Sequence, residues 1–543
     1  MKVKPLLSKV NSSTLLRDYL NACGIKDVEG YLKPDDSAFD SPWLYANMQE
    51  AVDRLYNAIS CDEKIGILQD VDGDGVMSTV IAYDFLCKQG NNPIVFWHTG
   101  KQHGLRTSKE ENIVKQVKES GITLLWIPDA GSGDVEQCKE LKESGVDVVI
   151  TDHHLAVNNP YAIVVNCHFG ENINTNLTGA GVTDKLIAGY CEKYGIERPD
   201  YSDLVAFSLV SDIADFTSIE NRAYMITAQE QHNDFLQYMS NKLGRGEEYT
   251  PHNISWNLSP KINAVQRSDD MEAKKQLFYG FVGETDKDEA IKIANKLHKE
   301  QAERVKKIYQ SLQEQIDLSK KVIVVFGEVE DANYLGLAAN KIMGQYGKPV
   351  IVLREADSTM WCGSVRSPFP LIEQVNSSGL AKGQGHSSAF GIFLKKSNLN
   401  RFMAWIDKLD VDTNPDIPVT ASIKPKQITL PLCHAIVDNV MLWAKGVDMP
   451  VFHVCGRVNK ADIQVFQKKT TTVKIMIDGI AFLLFMAKEE DVEKLMEHDV
   501  FDIDMVAKLD VNEWNGVESP QGRIESWEIR AIEDKQEDWK DLF

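Results

Sequence analysis

Five short apolar runs punctuate residues 64–166: KIGILQD (64–70), NPIVFWH (92–98), TLLWIPD (123–129), VDVVITD (146–152) and YAIVVN (161–166). Runs of that length, bounded by turn residues and polar stretches, read as buried strands. Between them, VMSTVIAYDFL places Met77, Val80, Ile81 and Phe85 on one helical face, and EENIVKQVKES reads as a second helix. This alternation folds into a mostly parallel sheet covered by helices. Asp70, Asp129 and Asp152 each fall at the C-terminal end of an expected strand, the edge along which open α/β sheets bind ligands. Three carboxylates far apart in sequence therefore converge on one crevice.

The stretch DVDGDGVMSTVI, Asp70 to Ile81, begins like a calcium-binding EF-hand loop, with Asp70, Asp72 and Asp74 alternating ahead of Gly75. Such a loop needs a bidentate Glu at its twelfth position. Ile81 stands there, and a strand rather than a helix precedes it. A cation site of another kind is indicated, and the chain offers further ligands. VVITDHHL brings Asp152, His153 and His154 to a strand end, where a following turn can aim both imidazoles into the crevice. Carboxylate and imidazole together suit manganese, magnesium or zinc. SLVSDIADF adds Asp212 inside an otherwise apolar helical run, where a buried carboxylate needs a partner: a metal, an N-cap or a salt bridge.

At 543 residues the chain is too long for one core, and three or four domains are expected. The composition, 43% hydrophobic and 26% charged, is that of a soluble globular protein. The N-terminus lacks a secretory h-region, and no apolar run approaches a membrane span. Nine cysteines without a CxxC pair give neither a zinc ribbon nor a disulfide framework, so a reducing, cytoplasmic setting is expected. A net charge of −21 argues against coating nucleic acid by bulk electrostatics but leaves room for a local basic groove.

Beyond the first domain, a long helical pattern from Asp288 to Ile316 suits either a connector between domains or an ordinary surface helix. A second α/β unit starts at KKVIVVFGE and includes the glycine-rich AKGQGHSSAFGIFL. DVDTNPDIP, Asp410 to Pro418, reads as a linker. Thereafter many short strands suit a small β-barrel such as an OB-fold. Arg457, Lys460, Lys468, Lys469 and Lys474 with Phe466 give it a basic, aromatic surface fit for single strands, or an ordinary solvated face.

Taken in order, DVDGDG, WIPDAG, TDHH, GAGVTDKL and VSDIAD resemble the motif series of the DHH phosphoesterase superfamily. The similarity extends over nearly the whole chain to the RecJ-type single-strand-specific exonucleases. It runs through LLRDYLNACGIKDVEGYLKPD and DSPWLYANMQEAVDRLYNAI near the start, QHGL (102–105), and SPKINAVQRSDD (259–270). It continues through GSVRS (363–367) and GQGHSSAFG (383–391), which resemble DHHA1 signatures, and DVNEWNG near the end.

The resemblance implies an α/β multidomain enzyme: a DHH parallel-sheet domain joined by a long helix to a DHHA1 α/β domain, then a C-terminal OB-like β-barrel. The expected segments are 1–45 (N-terminal segment), 46–230 (catalytic), 231–318 (helical connector), 319–410 (substrate-binding), 411–530 (OB-like) and 531–543 (acidic tail). It implies two divalent cations, Mn²⁺ or Mg²⁺, bracing an in-line displacement. Their expected ligands are Asp72, Asp74, Asp129, His154 and Asp212, with Asp74 bridging both. Asp70 and Asp152 would be direct or supporting ligands, and His153 would assist as ligand or against the scissile phosphate. Gly383, Gly385 and Gly391 would admit close backbone approach to phosphate, His386 would donate to it, and Arg267, Ser364 and Arg366 would grip a terminal phosphate. The chain departs from the family pattern at Lys261, at Val265-Gln266, at the inserted Gln384, and in SDIADF, where Asp215 competes with Asp212 as ligand.

The function so implied is single-stranded-DNA-specific 5′→3′ exonuclease action in recombination, repair or replication. A DHH phosphodiesterase for short oligonucleotides or cyclic dinucleotides is the alternative, and a metal-free scaffold the third reading. The β domain after Pro418 argues against the second and the intact ligand set against the third. A monomer with no membrane association is expected. The end of the chain, Gln536 to Phe543, is similar to peptides that dock on sliding clamps, making a clamp or a single-strand-binding protein a candidate partner; folding back of the tail on its own domain is the competing expectation.

Overall fold

The computed structural model describes residues 1–99, 102–106, 112–155, 158–244, 248–328, 330, 332–410 and 416–530. After a short N-terminal strand β1 (Val3–Pro5), the five expected apolar runs form strands β2 (Ile65–Leu68), β3 (Ile94–Phe96), β4 (Leu124–Pro128), β5 (Asp147–Asp152) and β6 (Ile163–Asn166). They pair in parallel in the order β3-β2-β4-β5-β6. The chain moves outward from β2 to β3 and then returns to the other side of β2, so the order reverses between β2 and β4. That switch point is where a parallel sheet opens a crevice. The helix Gly73–Lys88 is buried around most of its circumference, not along the single face its apolar spacing suggests, because helices Gly179–Tyr194 and Ser202–Ser211 pack against it.

The helix Lys287–Leu312 has one end in each of two cores. Ala290, Ile291 and Ala294 pack with the first domain, whereas Ile308, Tyr309 and Leu312 pack under the second. It is a connector. The second domain holds β7 (Ile323–Phe326), β8 (Val350–Glu355), β9 (Met360–Arg366), β10 (Ala381–Gly385) and β11 (Ala389–Lys395), in the order β10-β11-β9-β8-β7.

The stretch expected to be a linker is partly a strand. β12 (Ile417–Val419) pairs in parallel with β1, tying the first residues of the chain to the entry of the third domain. The third domain adds β13 (Ala421–Ile423), β14 (Val451–Asn459), β15 (Ile463–Gln467), β16 (Thr471–Ile477), β17 (Ile480–Phe485), β18 (Val500–Trp514) and β19 (Val517–Arg530), in the order β13-β14-β18-β19-β17-β16-β15. Its core is shared with the N-terminal segment: Leu15, Leu20, Val28 and Tyr31 pack among residues such as Leu432, Ile436 and Phe452. Tyr19 and Tyr31 hydroxyls donate to the carbonyls of Asp448 and Phe216, so this segment ties the third domain to the first. Among the described residues, no helix is long and apolar enough to cross a membrane.

Candidate metal centre

Asp74 sits in the first turn of the helix that follows β2, and its carboxylate is fully engaged. Oδ2 accepts from the Gly179 amide at 2.8 Å; Oδ1 accepts from the Ala180 amide at 2.9 Å and from the Ser208 hydroxyl at 2.5 Å. The N-terminal end of the Gly179–Tyr194 helix thus points at an anion, where its unpaired amides and dipole favour one. Asp72 caps its own helix by accepting from the Gly75 amide. Gly75 has to be a glycine, since a Cβ there would lie 2.7 Å from Asp70 Cβ.

Asp129, just past β4, has φ +69°, a left-handed conformation that aspartate tolerates better than branched residues. Its Oδ1 is buried and receives no hydrogen bond, as is Oδ1 of Asp70. His153 Nε2 lies 3.3 Å from Asp129, 3.6 Å from Asp74 and 3.7 Å from Asp212. Asp152 organises the turn: its Oδ1 accepts from the backbone amides of His153 and His154 and contacts His154 Nδ1 at 2.8 Å. Asp70 Oδ2 contacts His103 Nδ1 at 2.7 Å.

The electrostatics divide these groups into two kinds. Burial, reinforced by neighbouring carboxylates, holds Asp129 and Asp212 well above the ordinary carboxylate range and raises Asp72 as well. Burial works against ionisation of Asp152 and Asp70 too, but His154 beside the one and His103 beside the other outweigh it and hold both low. The Asp70 carboxylate pushes His103 up to about 10. Burial drives His153 down to about 4 despite Asp74 nearby, leaving it a neutral ligand-type imidazole at physiological pH.

Three overlapping trios each place one ligand atom per residue within 4.8 Å of the others: Asp129 with His153 and His154, Asp74 with His153 and Asp212, and Asp70 with Asp72 and Asp129. Shared Asp129 and His153 link the trios into one cluster with capacity for more than one ion. The orphaned carboxylate oxygens, the mutual repulsion and the O/N donor set fit hard or borderline divalent cations.

Asp212 is not inside a helical run, as its surroundings suggested. The Ser202–Ser211 helix ends there, with Asp212 at the C-cap and Ile213 in a left-handed conformation at φ +58°. That break aims Asp212 at His153. Asp215 instead accepts from its own Thr217 amide and hydroxyl in a turn, and is not brought to the cluster. Residues that sequence reasoning missed hold the first-turn loop: Asn263 accepts from the Gly73 amide at 3.0 Å, and Gln266 contacts Gln69 at 3.1 Å. Their helix, Ser259–Gln266, carries the SPKINAVQ motif, so the motif was legible and its contacts were not.

From the second domain, Arg366 and His386 face this crevice. Burial and the adjacent Arg267 depress the Arg366 guanidinium; burial, His154 and Arg366 depress His386. Burial likewise depresses Arg267, with Asp72 opposing. The helix Leu335–Tyr346 starts against this group, since a Cβ on Gly336 would lie 2.6 Å from Arg366 Nη2 and 3.3 Å from Ser364 Oγ. Gly385, exposed at the end of β10, takes φ +132°, and a Cβ there would lie 3.1 Å from Phe390 Cα, so the position requires glycine. Gly383 has another role: a Cβ there would meet Phe390 and Ile372, making it a packing glycine.

Residues 64–209 match the model of the DHH family, N-terminal domain. With its parallel sheet and carboxylate–histidine crevice, this matched segment is a DHH-type domain. Over the described residues the fold is like that of RecJ. The structure superposes on the Mn²⁺ complex of RecJ from Thermus thermophilus with a TM-score of 0.79 at 20% identity, covering 98% of this chain and 79% of that one. The chain is 26% identical to the single-stranded-DNA-specific exonuclease RecJ of Bacillus subtilis (strain 168), over 99% of this chain and 72% of the relative. It is 24% identical to YorK, named as a putative SPbeta prophage-derived single-strand DNA-specific exonuclease of the same strain, over 95% of this chain and 96% of the relative.

Proposed function

We propose that this protein is a divalent-metal-dependent exonuclease specific for single-stranded DNA, working 5′→3′. The observation that carries the reading is the juxtaposition of the acid–histidine cluster at the sheet's switch point with Arg366, Arg267 and His386 across the crevice. Asp70, Asp72, Asp74, Asp129, His153, His154 and Asp212 would hold two divalent cations, Mn²⁺ or Mg²⁺. When bound, the cations supply an acidified water and offset charge on the phosphodiester. Asp74, locked by two helix amides and a hydroxyl, would fix the spacing of the site. Asp152 orients His154, a supporting contact of the kind that sets ligand geometry. Arg366 and Arg267, with Ser364 and His386, would bind the terminal phosphate and so register the strand for cleavage from its end. Gly385 would let the backbone approach the same phosphate.

The third domain would add strand affinity. Phe466, Thr472 and Phe485 lie opposite one another on β15, β16 and β17, with Lys474, Leu483 and Arg523 in the adjoining row of the same face. Both phenylalanines are exposed. Stacking platforms with interleaved cations bind single strands with little sequence preference. This domain separates the reading from a phosphodiesterase of cyclic dinucleotides or very short oligonucleotides. The clamp-docking reading of Gln536–Phe543 rests on sequence alone, since those residues lie outside the described ones; deleting the segment and testing clamp capture addresses it. Digestion of single strands labelled at either end, with and without a 5′ phosphate and in Mn²⁺, tests the main proposal. Mononucleotide release from the 5′ end alone is expected, and cleavage confined to dinucleotides would refute it.

A further inference from the structure

Beside the metal centre, a cleft of about 890 Å³ opens between the first and third domains. Val210 and Ile213, which flank the turn carrying Asp212, form one wall, and Phe216 and Trp443 line the cleft further along. Two residues of that wall present large apolar side chains to solvent. Trp256 is 71% exposed, on a π-helical turn (Ile254–Leu258), with the His252 ring tilted against it at 6.0 Å. Such turns interrupt regular helices at a cost and recur at functional sites. Ile213 is 70% exposed at φ +58°, a conformation that a β-branched residue adopts only under constraint. A strained isoleucine left mostly exposed, one residue after a metal-centre carboxylate, makes sense if something packs on it.

The opposite wall indicates what that is. Arg523 lines the cleft and also sits over the Phe485 ring, 6.0 Å from its centroid. The cleft is therefore continuous with the aromatic face of the third domain. Its charges are largely internally balanced: Arg523 pairs with Asp510 at 2.6 Å and Lys508 with Glu525 at 3.3 Å, and the lining cation Lys445 is outnumbered by Glu248 and Asp448. A phosphate backbone gains little there, whereas an unpaired base gains an apolar, aromatic floor.

We propose that Trp256 and Ile213 form a base-stacking subsite for the strand immediately downstream of the scissile phosphate, leading it from Asp212 towards Phe485. This rests on the single-strand exonuclease reading above and names a specific contact within it. The test is binding of a labelled thymidine strand of about twenty nucleotides to the full chain without divalent ions, across a salt series. Trp256→Ala should weaken binding about tenfold, the loss expected for one stacked base, and Trp256→Phe should restore most of it. The slope of log affinity against log salt should stay as in wild type, because no phosphate contact is removed. Ile213→Gly should weaken binding several-fold while its Tm equals or exceeds wild type, since glycine relieves the left-handed strain. Affinity within twofold of wild type for both Trp256→Ala and Ile213→Gly, or a salt slope lowered by about one unit, would overturn the subsite. Wild-type protein that neither binds nor cleaves single strands would overturn the exonuclease reading instead.

Discussion

Gly179 lies so close to Asp129 that a Cβ added to it would sit 2.4 Å from both the Asp129 Cβ and its Oδ1. The glycine lets the helix amide at position 179 reach Asp74 while Asp129 passes beside it. Gly179→Ala should therefore displace Asp129 and lower kcat about a hundredfold or more, as misplacement by about 1 Å does. Circular dichroism should stay native. Activity within threefold of wild type would show that the two backbones separate freely.

Asp74→Asn keeps the shape of the side chain but removes the charge at the centre of the cluster, and it turns one of the two oxygens that accept from the helix amides into an NH2 donor. Loss of several kcal/mol of metal-dependent stabilisation predicts a fall in kcat/KM of about three orders of magnitude. Isothermal titration with Mn²⁺ should lose at least one binding event. Retention of a tenth of wild-type activity would remove Asp74 from the proposed ligand set.

The raised Asp129 and Asp212 carboxyls make a prediction about pH. Without divalent ions the folded chain holds more protons at these sites than the unfolded chain, whose carboxylates titrate at about pH 4. Stability is thus highest below that value and falls as pH rises through the raised folded-state values. In EDTA, Tm should decline across this window, and Asp129→Asn should flatten the decline. Mn²⁺ at a hundredfold over its Kd should add about 2.7 kcal/mol and remove most of the dependence. A Tm indifferent to Mn²⁺ would contradict the metal assignment.

Cutting the chain near Pro418 would not isolate a DNA-binding module, because Leu15, Leu20, Val28 and Tyr31 share the core of the third domain. Each such side chain loses roughly 1.5–3 kcal/mol on exposure, so the truncated protein should melt at markedly lower temperature. The cleaner change is Phe466→Ala with Phe485→Ala. Affinity for long strands should drop by about one to two orders of magnitude at fixed salt, with Tm little changed. An unaltered Kd would place the strand elsewhere.

The sequence by itself determined the strands β2 to β6, the existence of the long helix and the identities of the acidic and imidazole groups. All of these follow from local periodicity and from short motifs whose residues are neighbours in the chain. It could place Asp70, Asp129 and Asp152 at strand ends, and from that their convergence, because a parallel sheet brings its C-terminal edges together whatever lies between them. It could not decide between Asp212 and Asp215. That depends on where the Ser202–Ser211 helix breaks and on an isoleucine forced to positive φ, which no helical pattern announces. Nor could it show that the N-terminal segment completes the core of the third domain, or that a cleft with Trp256 runs between domains one and three. Those arrangements come from contacts between residues hundreds of positions apart. Their chain-closure cost is met only once whole domains have formed, so tertiary packing alone selects them.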